Sequence, residues 1–115
     1  MSIKRNYPVE VVLTVFERNL IIMAVLPKEG DVLTARTVNG LRDKLSLTDE
    51  EMVTLDVTNN EETGQRFIPA KANKYEATLS FDEPQFAVIS AGLRRLDTSK
   101  KLPVYAIDLY DKFVK

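Results

Sequence analysis

Cysteine, histidine and tryptophan are missing from the 115 residues, and glycine occurs only four times. Without cysteine there is no disulfide, no thiolate nucleophile, no iron–sulfur cluster and no cysteine-ligated zinc. Without histidine the common Ser-His and Cys-His pairs cannot be built, and transition-metal sites lose a usual ligand. Gly30 and Gly64 stand alone, so the chain has neither a Walker loop nor a dinucleotide fingerprint. Only carboxylate, lysine, tyrosine or serine chemistry is left, and no cofactor or metal site is expected.

An excess of one charge is missing too. Lysine plus arginine number 16 against 17 acidic residues, a net charge of −1. Such a chain has no global attraction to phosphate backbones or anionic membranes, so nucleic acid is an unfavoured partner. Long apolar runs are also absent. Leu20 to Leu26 is the longest, flanked by Arg18 and Lys28, and it falls far short of the roughly 20 residues a membrane span needs. Met1 to Pro8 is polar and does not read as an export signal, so a cytoplasmic location is expected.

What is present reads as one domain over residues 1–115 with an ordinary apolar fraction of 44%. Val9 to Leu13 is rich in β-branched residues and reads as a strand. Thr14 and Glu17 then form a capping box, predicting a helix from Val15 to Leu26 with Phe16, Leu20, Met23 and Ala24 along one face and an end at Pro27. Helical spacing of Val38, Leu41 and Leu45 predicts a second helix from about Thr34. A second capping box, Thr48 with Glu51, starts a short helix near Met52.

Between Val53 and Ser80 the period changes to two. Val53 to Thr58 and Tyr75 to Ser80 read as half-buried strands, with Arg66 to Ile68 as a short edge strand and Ala70 to Lys74 as an exposed loop. Asp82, Glu83 and Pro84 open a helix to Leu96 that buries Phe86, Ile89 and Leu93. Pro103 opens a last helix with Tyr105, Leu109 and Phe113 on one side. The fold class is therefore α+β, with four to five helices on a small antiparallel sheet of two to four strands. The order helix, helix, short capped helix, strands also fits a winged-helix variant. In that layout the groove-reading helix would begin on three carboxylates, Asp49, Glu50 and Glu51, which repel phosphate.

The carboxylate runs Asp49-Glu50-Glu51 and Glu61-Glu62 lack EF-hand spacing and read as a helix cap and a solvated turn. Arg94, Arg95, Lys100 and Lys101 read as charge complementing a helix end, with a grip on phosphate or an acidic partner as the alternative. A small anionic ligand would draw on Arg36, Arg42, Arg66, Lys71, Lys74, Arg94 and Arg95. Tyr105, Tyr110 and Phe113, with Asp108 and Asp111 between them, either seal the core or form a docking surface, since aromatics concentrate at interface hot spots.

Leu13-Thr14-Val15-Phe16-Glu17-Arg18, Leu26-Pro27, Gly30, Leu41-Arg42-Asp43-Lys44-Leu45-Ser46 and Glu50-Glu51 resemble the opening half of small accessory proteins of tailed bacteriophages and prophages. Leu93-Arg94-Arg95-Leu96-Asp97 and Leu109-Tyr110-Asp111-Lys112-Phe113 are similar to the end of the same group. The resemblance covers about half the chain and carries over no catalytic residue. It implies an accessory product of a phage; with the usual catalytic residue types absent and the charge near neutral, the expected function is non-enzymatic binding of a host or phage protein in the host cytoplasm, as an inhibitor of a host process, with a homo-oligomer compatible. A sponge for a nucleotide-like anion and a winged-helix DNA-binding regulator are the alternatives.

Overall fold

The computed structural model describes residues 6–114. Strand β1, Val9–Thr14, leads directly into helix α1, Val15–Leu20, through the expected capping box: Thr14 Oγ1 accepts from Glu17 N at 3.1 Å and Glu17 Oε1 accepts from Thr14 N at 3.0 Å. The helix continues as a π-turn, Ile21–Val25, closed by Leu26 N donating to Ile21 O, and stops before Pro27.

The sequence also puts Val15, Ile22, Val25 and Leu26 on a broadened stripe, and of these Val15, Val25 and Leu26 are buried as expected, but the centre of the stripe is not. Val15, Arg18, Ile21 and Val25 point inward, while Phe16 is 40% and Met23 79% exposed. The cause lies in the strand before it: β1 buries Val11 and Leu13, and the alternation carries on to Val15 before the helical period takes over.

Helix α2, Val32–Leu45, starts at an Asp31 cap and buries Val38, Leu41 and Leu45. Helix α3, Asp49–Thr54, carries the second capping box as expected. The strand expected over Val53 to Thr58 is not formed. Asp56 adopts a left-handed φ of 57°, Asp56 N donates to Val53 O and Val57 N to Met52 O, which is a Schellman stop for α3 inside that segment. Only Thr58–Asn59, β2, pairs with Arg66–Phe67, β3, so the edge strand is present and its partner is shorter than expected. Ala70–Lys74 is exposed at Ala70, Lys71 and Lys74 as expected, but it forms a 3₁₀ turn and buries Ala72.

Strand β4, Glu76–Phe81, does not pair with the segment after α3 but antiparallel with β1, with Thr14 opposite Glu76 and Val9 opposite Phe81. Helix α4, Glu83–Thr98, has a cap in which Asp82 and Gln85 exchange hydrogen bonds, and it buries Phe86, Ile89 and Leu93 as expected. A 3₁₀ turn, Val104–Ala106, precedes helix α5, Ile107–Phe113, which buries Leu109 and Phe113. The result is an α+β fold of helices on two antiparallel strand pairs.

The core gathers side chains of β1, the π-turn, α2, β4, α4 and α5. Phe113 lies at its centre, 5.5 Å from Phe81 and 5.1 Å from Phe86 between ring centroids. The chain passes so closely at the π-turn that a Cβ on Gly92 of α4 would lie 2.3 Å from Val25 O. Among the described residues no helix is long and apolar enough to cross a membrane.

Candidate functional site

The periodicity of α5 decides which aromatic residues face out. Ala106, Leu109 and Phe113 are buried, one helical face, so Val104, Tyr105 and Ile107 are left on the outside. Val104 is 92% and Tyr105 65% exposed. Tyr105 meets Phe16, the residue that the phase of α1 turned outward, edge to face at 5.4 Å. Two aromatic rings from opposite ends of the chain thus form an exposed pair.

A partly buried ion pair holds them in register. Glu17, at the third position of α1, accepts from Lys112 Nζ at 2.7 Å while keeping its capping bond to Thr14, and Lys112 also donates to Val12 O at 2.8 Å. Charge-assisted bonds of this kind are the stronger ones, and here they fasten α5 to the β1–α1 junction. Around the aromatic pair lies a cleft of 470 Å³ lined by Thr14, Phe16, Glu17, Glu76, Tyr105, Asp108, Asp111 and Lys112. Glu76 reaches it because the β1–β4 register places it beside Thr14. On the other flank of the same turn, a second cleft of 440 Å³ is lined by Leu102, Pro103, Val104 and Ile107 with Asp97 and Lys100 at its rim. The segment 103–107 is therefore an apolar ridge between two clefts.

Comparison with family models, curated proteins and solved structures gives no match.

The other residues singled out from the sequence are dispersed. Arg42 lines a 120 Å³ cleft with Lys28, Gly30 and Thr34; Arg94 lines another beside Tyr7 and Phe113; Arg66 lines a third within the β2–β3 hairpin and donates to Asn59 Oδ1 at 3.3 Å. Lys71 lies 3.9 Å from Asp56, and Arg95 donates to Val25 O at 3.3 Å, satisfying a carbonyl at the end of the π-turn. Arg36 and Lys74 are exposed. Tyr110 is half-buried against the core, its hydroxyl 3.5 Å from Asp97 Oδ2. Of the two tyrosines, Tyr105 alone lines the aromatic cleft. No group of three or more carboxylates among the described residues is placed to hold a metal ion.

A second polar cluster forms around Arg18, just before the apolar run. Arg18 is 2% exposed; its Nε donates to Leu45 O at 2.9 Å, its Nη2 to Ser46 O at 2.8 Å, and its guanidinium grips both oxygens of Glu51 at 2.9 and 3.1 Å. Arg18 thereby caps the carboxyl end of α2 and fixes the start of α3. The Arg18 hydrogen bond holds the Glu51 carboxyl below its ordinary range, against the opposing effect of burial. Every bond this guanidinium makes ties backbone or capping groups together, so the cluster is structural. Thr14, Phe16, Glu17, Glu76 and Lys112 line the cleft without being singled out by the sequence as site residues; the alternation Val11, Leu13, Val15 is the signal that puts Phe16 outside.

Proposed function

We propose that this protein works by binding another protein through the ridge and aromatic cleft formed by α1 and the start of α5, without chemical turnover. The observation that carries the reading is the exposed Phe16–Tyr105 pair, continuous with Val104 and Ile107. Large rings offer contact area at small conformational cost, and exposed apolar surface next to a cleft is characteristic of interaction sites. The pair is held by the Lys112–Glu17 contact, so little ordering is needed on binding.

The resemblance to small tailed-phage proteins supplies the setting: an accessory product that occupies a host or phage protein. A small anion is the weaker ligand because Arg42, Arg66 and Arg94 line three separate clefts, leaving no convergent cation set there.

The test is purification of tagged wild type and a Val104→Ser/Tyr105→Ser variant from the same host cells. Both positions are exposed, so the variant is expected to melt with the wild type yet lose a stoichiometric partner, binding it at least roughly tenfold more weakly. A partner held equally by both proteins, or none held by either, contradicts the reading.

A further inference from the structure

We propose that the α1–α5 cleft receives a lysine or arginine side chain from a basic segment of the protein partner, an inference that rests on the binding function above. The lining brings four carboxylates together, Glu17, Glu76, Asp108 and Asp111, against one ammonium, Lys112, although the chain as a whole carries a net charge of only −1. Glu17 is already engaged with Lys112 and Thr14. The carboxylates of Glu76, Asp108 and Asp111 have no hydrogen-bond or ion-pair partner among the described residues.

The fold itself does not account for all three charges. Asp108 stands in the first turn of α5, where the helix dipole favours it. Asp111 lies towards the carboxyl end, where the dipole opposes a negative charge, and Glu76 belongs to a strand. Phe16 and Tyr105 complete the chemistry, because an aromatic face attracts a cation and carboxylates at its rim hold one. Arginine fits best, since its planar group stacks on rings and forks to carboxylates at once. The neighbouring apolar ridge at Val104 and Ile107 needs apolar cover as well, which a peptide segment provides and a small free cation does not.

The experiment is an NMR titration of the full chain with two synthetic decapeptides, one alternating arginine with leucine and one alternating glutamate with leucine. The arginine peptide is expected to shift the amides of Phe16, Tyr105, Asp108 and Asp111, and the glutamate peptide to leave them in place. Asp108→Asn/Asp111→Asn should weaken the arginine peptide by roughly tenfold, and Tyr105→Ala by a similar factor, whereas Asp49→Asn/Glu50→Gln should not. Glu76→Gln, on a separate element, gives an independent reading if the helical variants lose structure.

Shifts spread equally over Asp49–Glu50 and Glu61–Glu62, or binding indifferent to Asp108→Asn/Asp111→Asn and Glu76→Gln, would overturn the inference. So would self-association abolished by Tyr105→Ala, which makes a second copy the occupant. If Val104→Ser/Tyr105→Ser abolishes capture of the natural partner while Asp108→Asn/Asp111→Asn leaves it intact, the binding function stands and the cationic occupant falls.

Discussion

Arg18 is the side chain on which the arrangement of α2 and α3 depends most. Removing one partner of a buried pair leaves the other uncompensated, so Arg18→Ala should cost about 3–5 kcal/mol in urea unfolding. Replacing both partners by apolar residues, which often rescues a buried pair, should fail here because Leu45 O would still lose its donor. Glu51 adds a pH dependence. Its folded pKa lies below the unfolded value, so it contributes stability above about pH 4.3, the ordinary glutamate value, and that contribution is lost as pH falls through the folded value. Urea midpoints between pH 6 and pH 3 should therefore fall less in Glu51→Gln than in wild type. Arg18 was visible in the sequence only as an interruption of an apolar run, because the carbonyls that welcome it belong to residues 45 and 46 and no local pattern points to them.

Gly92→Ala gains roughly 1 kcal/mol of helix propensity, but the new methyl meets the Val25 carbonyl, and overpacking of that kind costs about 1–3 kcal/mol. Backbone cannot step aside as a flexible side chain can, so the clash should win and the melting temperature should fall. Lys100 closes α4 as Asp56 closes α3: φ is 59°, Lys100 N donates to Asp97 O and Lys101 N to Leu96 O. A left-handed residue costs roughly 1–2 kcal/mol outside glycine, and glycine's extra chain entropy takes back about 0.5–1 kcal/mol. Lys100→Gly is thus expected to stabilise by about 0.5–1 kcal/mol in calorimetry. Helix starts were legible because Thr14, Thr48 and Asp82 announce them within four residues. The stop at Asp56 was not, since a non-glycine left-handed cap leaves no mark in composition, and the alternation of Val53, Leu55 and Val57 suggested a strand instead.

At the scale of the molecule, the cleft exists because the chain closes on itself. Strand β4 pairs with β1 and α5 is fastened to the β1–α1 junction by Lys112, so Phe16 and Glu17, Glu76, and Tyr105, Asp108 and Asp111 come to share one surface. The clustering of Tyr105 with Asp108 and Asp111 was visible in the sequence as a choice between core and docking surface. Phe113 and Tyr110 turn inward and Tyr105 outward, which divides that cluster between the two. Its meeting with Phe16 and Glu76 is a property of strand pairing across most of the chain, beyond the reach of any local signal. The most direct measurement places a photo-crosslinking benzoylphenylalanine at position 105 and, separately, at position 67, an exposed aromatic position outside the cleft. In the cells that produce the protein, irradiation should join position 105, and not position 67, to a single protein species. Crosslinking at 67 but not at 105, with the stoichiometric partner still retained on purification, would contradict the account.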